Sequence, residues 1–240
     1  MRQDPGFDLN RNEEDGDGDT LLHYACCEDQ RYPVIPVLLA HPVIDANLKN
    51  NHGQTPFFYA CFWGSTSCVR EMLKDSRVKV NDITNVGVTP LWSAACNVYL
   101  DSIKWWIASG REMDMGTPGD IYRTDAIGVA MACRKTEVVT LLERFKGDAA
   151  ETRHAIRVEL GLLDELAAEM FALVVFVLDG LLQTKDVTSS TPAARYFNIA
   201  THLPMELQMV LCFRQVGSGK EIISGKESEV AFKELARRLW

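Results

Sequence analysis

Asn51-His52-Gly53-Gln54-Thr55-Pro56-Phe57-Phe58-Tyr59-Ala60-Cys61-Phe62-Trp63-Gly64 is the stretch on which the fold turns. Gly53 supplies the positive φ of a tight turn, and Pro56 pre-sets φ at the first helical position, where no amide donor is needed. Gly64 breaks that helix after Trp63, and Cys68, Val69, Met72 and Leu73 then follow at helical spacing. The segment therefore reads as turn, helix, turn, helix, with one apolar face per helix. Working outward, its centre recurs as Thr20-Leu21-Leu22-His23-Tyr24-Ala25 and as Thr89-Pro90-Leu91-Trp92-Ser93-Ala94, at steps of 35 and 34 residues. In each copy the Thr lies two positions after a glycine: Gly18, Gly53 and Gly87.

The copies extend to whole units. In the third, Leu100, Ile103, Trp106 and Ile107 form the apolar face of an outer helix; Trp105 and Trp106 are adjacent, so only one can face fully inward. The first keeps Ala25, Val34, Leu38 and Leu39, but Pro33 and Pro36 predict a second helix that starts late or bends. A fourth, degenerate unit has Asp125-Ala126-Ile127-Gly128-Val129-Ala130 in place of the signature, with Asp125 as helix cap and Val138, Val139, Leu141 and Leu142 in its second helix. Ala25, Ala60, Ala94 and Ala130 recur where neighbouring inner helices must approach closely, and a larger side chain would overpack that seam.

A period near 33 with T-P-L-H-x-A resembles the ankyrin repeat, over about residues 15–146. Leu21 in place of Pro, and Phe58 and Trp92 in place of His, depart from that pattern. The resemblance implies an all-α fold: an ankyrin-repeat solenoid of about four helix-turn-helix units packed on a C-terminal helical domain. Residues 1–14 are expected to be a flexible acidic lead. The repeats span about 15–49, 50–83, 84–119 and 120–147, and the helical domain spans 148–240.

Past Gly147 the period disappears. Asp148 followed by Glu151 reads as a cap, with helices predicted over 152–160 and 162–182, the second interrupted near Asp179-Gly180. A polar linker over 184–190 precedes helices that start at Thr191-Pro192 and Leu203-Pro204. Ser224 and Glu227 open a last helix, with Ala231, Phe232, Leu235, Ala236 and Leu239 on one face. The phrase Leu203-Pro204-Met205-Glu206-Leu207 resembles the opening of F-box-like segments. As plain structure it reads as an amphipathic helix with Leu203, Leu207, Val210 and Leu211 on the core face.

Composition narrows the function. The 240 residues are 47% hydrophobic and 24% charged, enough to bury a good core. A net charge of -8 argues against nucleic acid as partner, because phosphate binding needs clustered Lys and Arg. The longest apolar run, Met170 to Leu178, is well short of the roughly 20 residues that span a bilayer, so no membrane association is expected. The N-terminal residues lack the apolar run of a secretory signal. Seven cysteines with no C-x-x-C pair read as small core residues in a reducing compartment, the cytoplasm, with the nucleus as the other compartment the composition allows.

Motifs of chemistry fail on inspection. The acidic run Glu13-Glu14-Asp15-Gly16-Asp17-Gly18-Asp19 does not place Gly sixth and Glu twelfth, as an EF-hand requires. Gly217-Ser218-Gly219-Lys220 has Arg214 and Glu221 where a phosphate loop has Gly and Ser or Thr. His23, His41, His52, His154 and His202 include no i, i+4 pair for zinc. No catalytic residue, metal or cofactor is expected.

What the ankyrin resemblance implies is a binding module whose concave face, made of turn tips and the exposed side of the inner helices, takes a protein partner. Carried over position by position, that face holds Asp17, Asp19 and Glu28 in the first repeat and Asn51, His52, Gln54, Phe62 and Trp63 in the second. It continues through Asn85, Val86, Val88 and Asn97 in the third and Tyr122 and Thr124 in the fourth. Phe62 and Trp63 are the central pair, since aromatics dominate interface energetics. Trp63 either anchors the partner or folds beneath its neighbours. The acidic first repeat favours a basic partner segment. The alternative function is an F-box-like ubiquitin-ligase substrate adaptor docking through the Leu203–Arg214 helix.

Overall fold

Thr55 shows why each unit starts where it does. In a computed structural model, which describes residues 10, 16–116, 124–181, 196, 198–218, 220 and 222–239, the Thr55 hydroxyl accepts from the Phe58 amide at 3.2 Å, and the Thr89 hydroxyl accepts from the Trp92 amide at 3.1 Å. Each Thr is an N-cap satisfying an amide that the first turn leaves open, with Pro56 or Pro90 next in the chain. In the fourth unit Asp125 takes over, accepting from the Gly128 amide at 2.7 Å.

The inner helices are α1 (Leu21–Cys27), α3 (Pro56–Trp63), α5 (Pro90–Asn97) and α7 (Ala126–Ala132). Their outer companions are α2 (Val34–Leu39), α4 (Thr66–Lys74), α6 (Leu100–Ser109) and α8 (Thr136–Gly147). Inner packs on inner, α1 on α3, α3 on α5 and α5 on α7, and outer packs on outer in the same order. Ala25, Ala60, Ala94 and Ala130 are all buried at these seams. Leu22, Phe57, Leu91 and Ile127, each two positions after its cap, are buried with them. The result is an all-helical solenoid among the described residues.

Two local expectations hold. The first unit's second helix starts late, with a 3-10 turn at Asp29–Arg31 ahead of it. Pro36 fits there because it is only the third helical residue, where no intrahelical amide bond is lost. Trp106 is the inward member of its pair, set edge-on to Phe57 at 5.0 Å, whereas Trp105 lies under the Arg70 guanidinium at 4.4 Å.

The chain divides into two compact units, Met1–Arg153 and His154–Trp240. Asp148 caps α9 (Ala149–Glu159), accepting from the Glu151 amide at 2.8 Å. In the second unit, α10 (Leu162–Leu178) ends before Gly180, which adopts φ of 71°. It packs on α11 (Met205–Gln215) and α12 (Gly225–Leu239) around Ala168, Phe171, Ala172, Cys212, Phe213 and Ala231. Ser224 and Glu227 make the reciprocal cap at the start of α12. The 184–190 linker and the Thr191-Pro192 helix start lie outside the described residues.

Helix α11 buries a different face from the one expected of Leu203, Leu207, Val210 and Leu211. Leu207 is 51% exposed, and the buried residues are Gln208, Cys212 and Phe213. The Gln208 side chain donates to the Leu203 carbonyl at 2.9 Å, so its amide is satisfied next to the helix start while its stem covers the core. The helix is thus turned by about one residue, roughly 100°, from the face that its leucines propose.

Candidate functional site

The turn tips are built on glycine. Gly18, Gly53 and Gly87 take φ of 73°, 74° and 79°. At Gly53 a second constraint applies: a Cβ there would meet the Asn85 backbone nitrogen at 2.6 Å, so the turn admits the next repeat only because the side chain is missing. The tips then zip together through backbone and amide groups. The Asn51 amide donates to the Asp17 carbonyl at 2.9 Å and its side chain to the Gly16 carbonyl at 2.8 Å. One repeat later, the Asn85 amide donates to the His52 carbonyl at 3.0 Å and its side chain to the Asn51 carbonyl at 2.9 Å.

Asp17, Asn51, His52 and Asn85 therefore stand in one exposed row, with His52 Nε2 facing an Asp17 carboxylate oxygen at 3.3 Å. Asp19 is different. It is 5% exposed, and its carboxylate accepts from Asn50 Nδ2 at 2.8 Å and from the Tyr59 hydroxyl at 2.7 Å. Burial, and then Asp19, raise the Tyr59 phenol well above its ordinary range, so the hydroxyl stays a donor to the carboxylate. Asp19 serves as an internal brace between the first two repeats.

Gln54 is half-buried; its carbonyl accepts from the Asn50 amide at 3.0 Å and from His23 Nε2 at 3.0 Å. His23 is buried, and its Nδ1 accepts from the Thr20 amide at 3.1 Å. An Nδ1 that accepts fixes the proton on Nε2, so this ring is the neutral tautomer that ties the first turn to the second. Burial holds its pKa below the usual imidazole value.

Along the inner helices, Phe62 and Trp63 close α3, 39% and 54% exposed. Their rings meet edge to face at 5.2 Å, and Phe62 also stacks on the buried Phe58 at 6.2 Å. The pair is thus outside the core but held on a buried aromatic. Gly64 ends the helix in the left-handed conformation with φ of 69°, and a Cβ there would collide with the Tyr99 ring of the next repeat. Val98 and Arg134 take the same conformation after α5 and α7, with φ of 68° and 58°.

Of the other predicted residues, Val86 and Asn97 are exposed, while Val88 and Thr124 are half-buried. Asn97 donates to the Ser93 carbonyl at 3.1 Å, and Glu28 pairs with Arg31 at 2.7 Å inside its own turn. Tyr122 lies outside the described residues.

Sequence reasoning missed two periodic devices. Asn10, Asn47 and Asn81 each accept, through the side-chain oxygen, from an amide one repeat on: Asp45 at 2.9 Å, Lys79 at 2.6 Å and Asp114 at 3.0 Å. The second is a set of arginines that bond the ends of outer helices from further along the chain, Arg77 and Arg111 one unit on and Arg153 from α9. Arg77 donates to the Leu39 carbonyl, Arg111 to those of Leu73, Asp75 and Val78, and Arg153 to that of Ile107. Leu39, Leu73 and Ile107 are 34 residues apart, so the acceptors follow the repeat period. The repeated Asn and Arg were a findable signal; their partners, 32 to 46 residues away, were not.

The family model described as ankyrin repeats (3 copies) matches residues 3–83 and 22–117. A 94-residue stretch, 39% of this chain, is 42% identical to SMC5-SMC6 complex localization factor protein 1 of Homo sapiens and, equally, of Bos taurus. A 102-residue stretch, 42% of the chain, is 28% identical to Rabankyrin-5 of Mus musculus. In each case the match spans 9% of the relative's length.

Proposed function

We propose that this ankyrin-repeat protein, with its all-helical C-terminal block, is a non-catalytic binding module whose concave ankyrin face holds a protein partner. Ankyrin repeats stack into an extended surface suited to protein–protein contact. The observation that carries the reading is the Phe62–Trp63 pair: two large rings, substantially exposed, braced against each other and against a buried Phe58. Pre-organised aromatics of this kind lose little conformational entropy on binding and are enriched among interface hot spots.

The row of Asp17, Asn51, His52 and Asn85 supplies the polar side of the face. Asp19 contributes through its brace to Asn50 and Tyr59 and leaves the acidic contact to Asp17 and Glu28. A partner with a basic segment and an apolar anchor fits this surface and the chain's net charge of -8. A relative named as a localization factor for a protein complex is consistent with a docking role. The compartment belonging to this reading is the cytoplasm or the nucleus, which imaging of a fluorescent fusion would distinguish.

Affinity capture with wild type and with a Phe62→Ala, Trp63→Ala double variant tests the reading. Both rings are outside the core, so the variant is expected to keep its helical content while losing about 2 kcal/mol or more of binding, roughly thirtyfold in Kd. An unchanged set of captured proteins would retire the interface.

The F-box-like alternative draws on one observation: Met205 and Leu207, at the start of α11, both face outward. It requires recovery of a cullin adaptor by the wild type and its loss on Leu207→Asp.

A further inference from the structure

Seven free cysteines fall into two groups. Cys26, Cys61, Cys68 and Cys212 are buried and behave as small apolar residues, while Cys27, Cys96 and Cys133 are partly exposed. Burial raises the Cys61 thiol well above its ordinary range and pushes Cys68 up to about 12, so neither ionises at neutral pH.

Cys96 lies in the last turn of α5, and Cys133 directly follows α7. Their sulfur atoms are 3.8 Å apart, although the residues are 37 positions apart in sequence. Because α5 and α7 pack side by side, the two thiols straddle the junction between the third and fourth repeats. A disulfide bond is about 2.05 Å long, so the sulfurs need to close by less than about 2 Å. Both stand at helix ends, where small side-chain and backbone adjustments meet least resistance.

We propose that Cys96 and Cys133 form a redox-switchable dithiol that a low-molecular-weight disulfide, such as glutathione disulfide, converts into a covalent staple between the third and fourth repeats. One cysteine loses its proton to solvent and its thiolate attacks glutathione disulfide. The S–S bond of the oxidant breaks, a mixed disulfide forms on the protein, and one glutathione leaves as a thiolate that takes up a proton. The second cysteine, deprotonated in turn, attacks the protein sulfur of that mixed disulfide and expels the second glutathione, which is also protonated. Two protein thiols are oxidised by two electrons in all, and one glutathione disulfide is reduced to two thiols. In a reducing compartment the pair rests as dithiol and closes only under oxidising conditions.

The test equilibrates the full chain with glutathione buffers of increasing oxidised fraction, blocks remaining thiols by alkylation, and maps the peptides by mass spectrometry. A Cys96–Cys133 cross-link is expected, two hydrogens lighter than the free pair and reversed by dithiothreitol. The thermal midpoint should rise by about 5–10 °C, as expected for closing a loop of this length in a domain of this size. Cys96→Ser and Cys133→Ser should each leave the remaining cysteine as a mixed disulfide with glutathione and remove that rise. Wild type carrying glutathione separately on both residues, or keeping both as free thiols in the most oxidising buffer, would overturn the proposal.

Discussion

His23 concentrates what one side chain can do in this array. Its Nδ1 accepts from the Thr20 amide and its Nε2 donates to the Gln54 carbonyl, so a second ring proton would face a donor. Folding therefore favours the neutral ring, and burial lowers its pKa below 6.5. The unfolded chain takes up a proton near that value which the folded chain refuses. Stability is then expected to fall as pH drops below about 6.5, by up to about 1.4 kcal/mol per pH unit, and to level off below the folded pKa. Urea midpoints between pH 5 and 7.5 should show this slope in wild type and lose it in His23→Gln. Val98 makes a second case. A β-branched residue at φ of 68° is strained, and its counterpart in the preceding repeat is Gly64. Val98→Gly is expected to stabilise the protein by about 0.5–1 kcal/mol, read from the same midpoints, because relief of strain outweighs the added chain entropy. The structural place of His23 was legible, since it fills the His position of the signature. The strain at Val98 was not, because nothing in its identity announces a left-handed backbone. Asp19 likewise reads as one more acid in an acidic turn until Asn50 and Tyr59, 31 and 40 residues on, arrive beside it.

At the scale of the element, the helices that sequence located best are those whose start carries a chemical marker. Thr55-Pro56, Thr89-Pro90, Asp125 and the Ser224–Glu227 pair all proved to begin helices where expected. The face of α11 was misread because leucine content ranked Leu207 above Gln208, and only packing against α10 decides that choice. Helix ends were harder to foresee. The end of α4 and the turn after it are tied down by Arg111, half-buried, which reaches the carbonyls of Leu73, Asp75 and Val78 together. Arg111→Met keeps much of the stem and removes the donors, and should cost about 2 kcal/mol in chemical denaturation, given the loss of three charge-assisted bonds to carbonyls, of which that of Asp75 keeps a turn bond from the Val78 amide. Arg111→Lys should recover only part of that loss, since a single ammonium cannot span three carbonyls with the fork of a guanidinium.

For the molecule as a whole, stability within the first unit is shared between neighbours. Helices α3 and α5 each have an inner helix on both sides, while α1 packs against one, α3. In a nearest-neighbour array, protection against hydrogen exchange should peak at α3 and α5 and fall toward α1, by about tenfold or more in rate. Uniform protection along the inner helices would mean that the array opens only as one block. The arginines add a direction to this scheme. The carbonyl of Leu39 takes its bond from Arg77, those around Leu73 from Arg111, and that of Ile107, already bonded to the Gly110 amide, a second one from Arg153. As the chain leaves the ribosome from its N-terminal end, α2, α4 and α6 thus each emerge before the arginine that completes the bonding of their ends, which is synthesised some 38 to 46 positions later. Maturation of these three helix ends trails translation by about one repeat, and a nascent chain stalled within the array would carry one edge still short of its arginine.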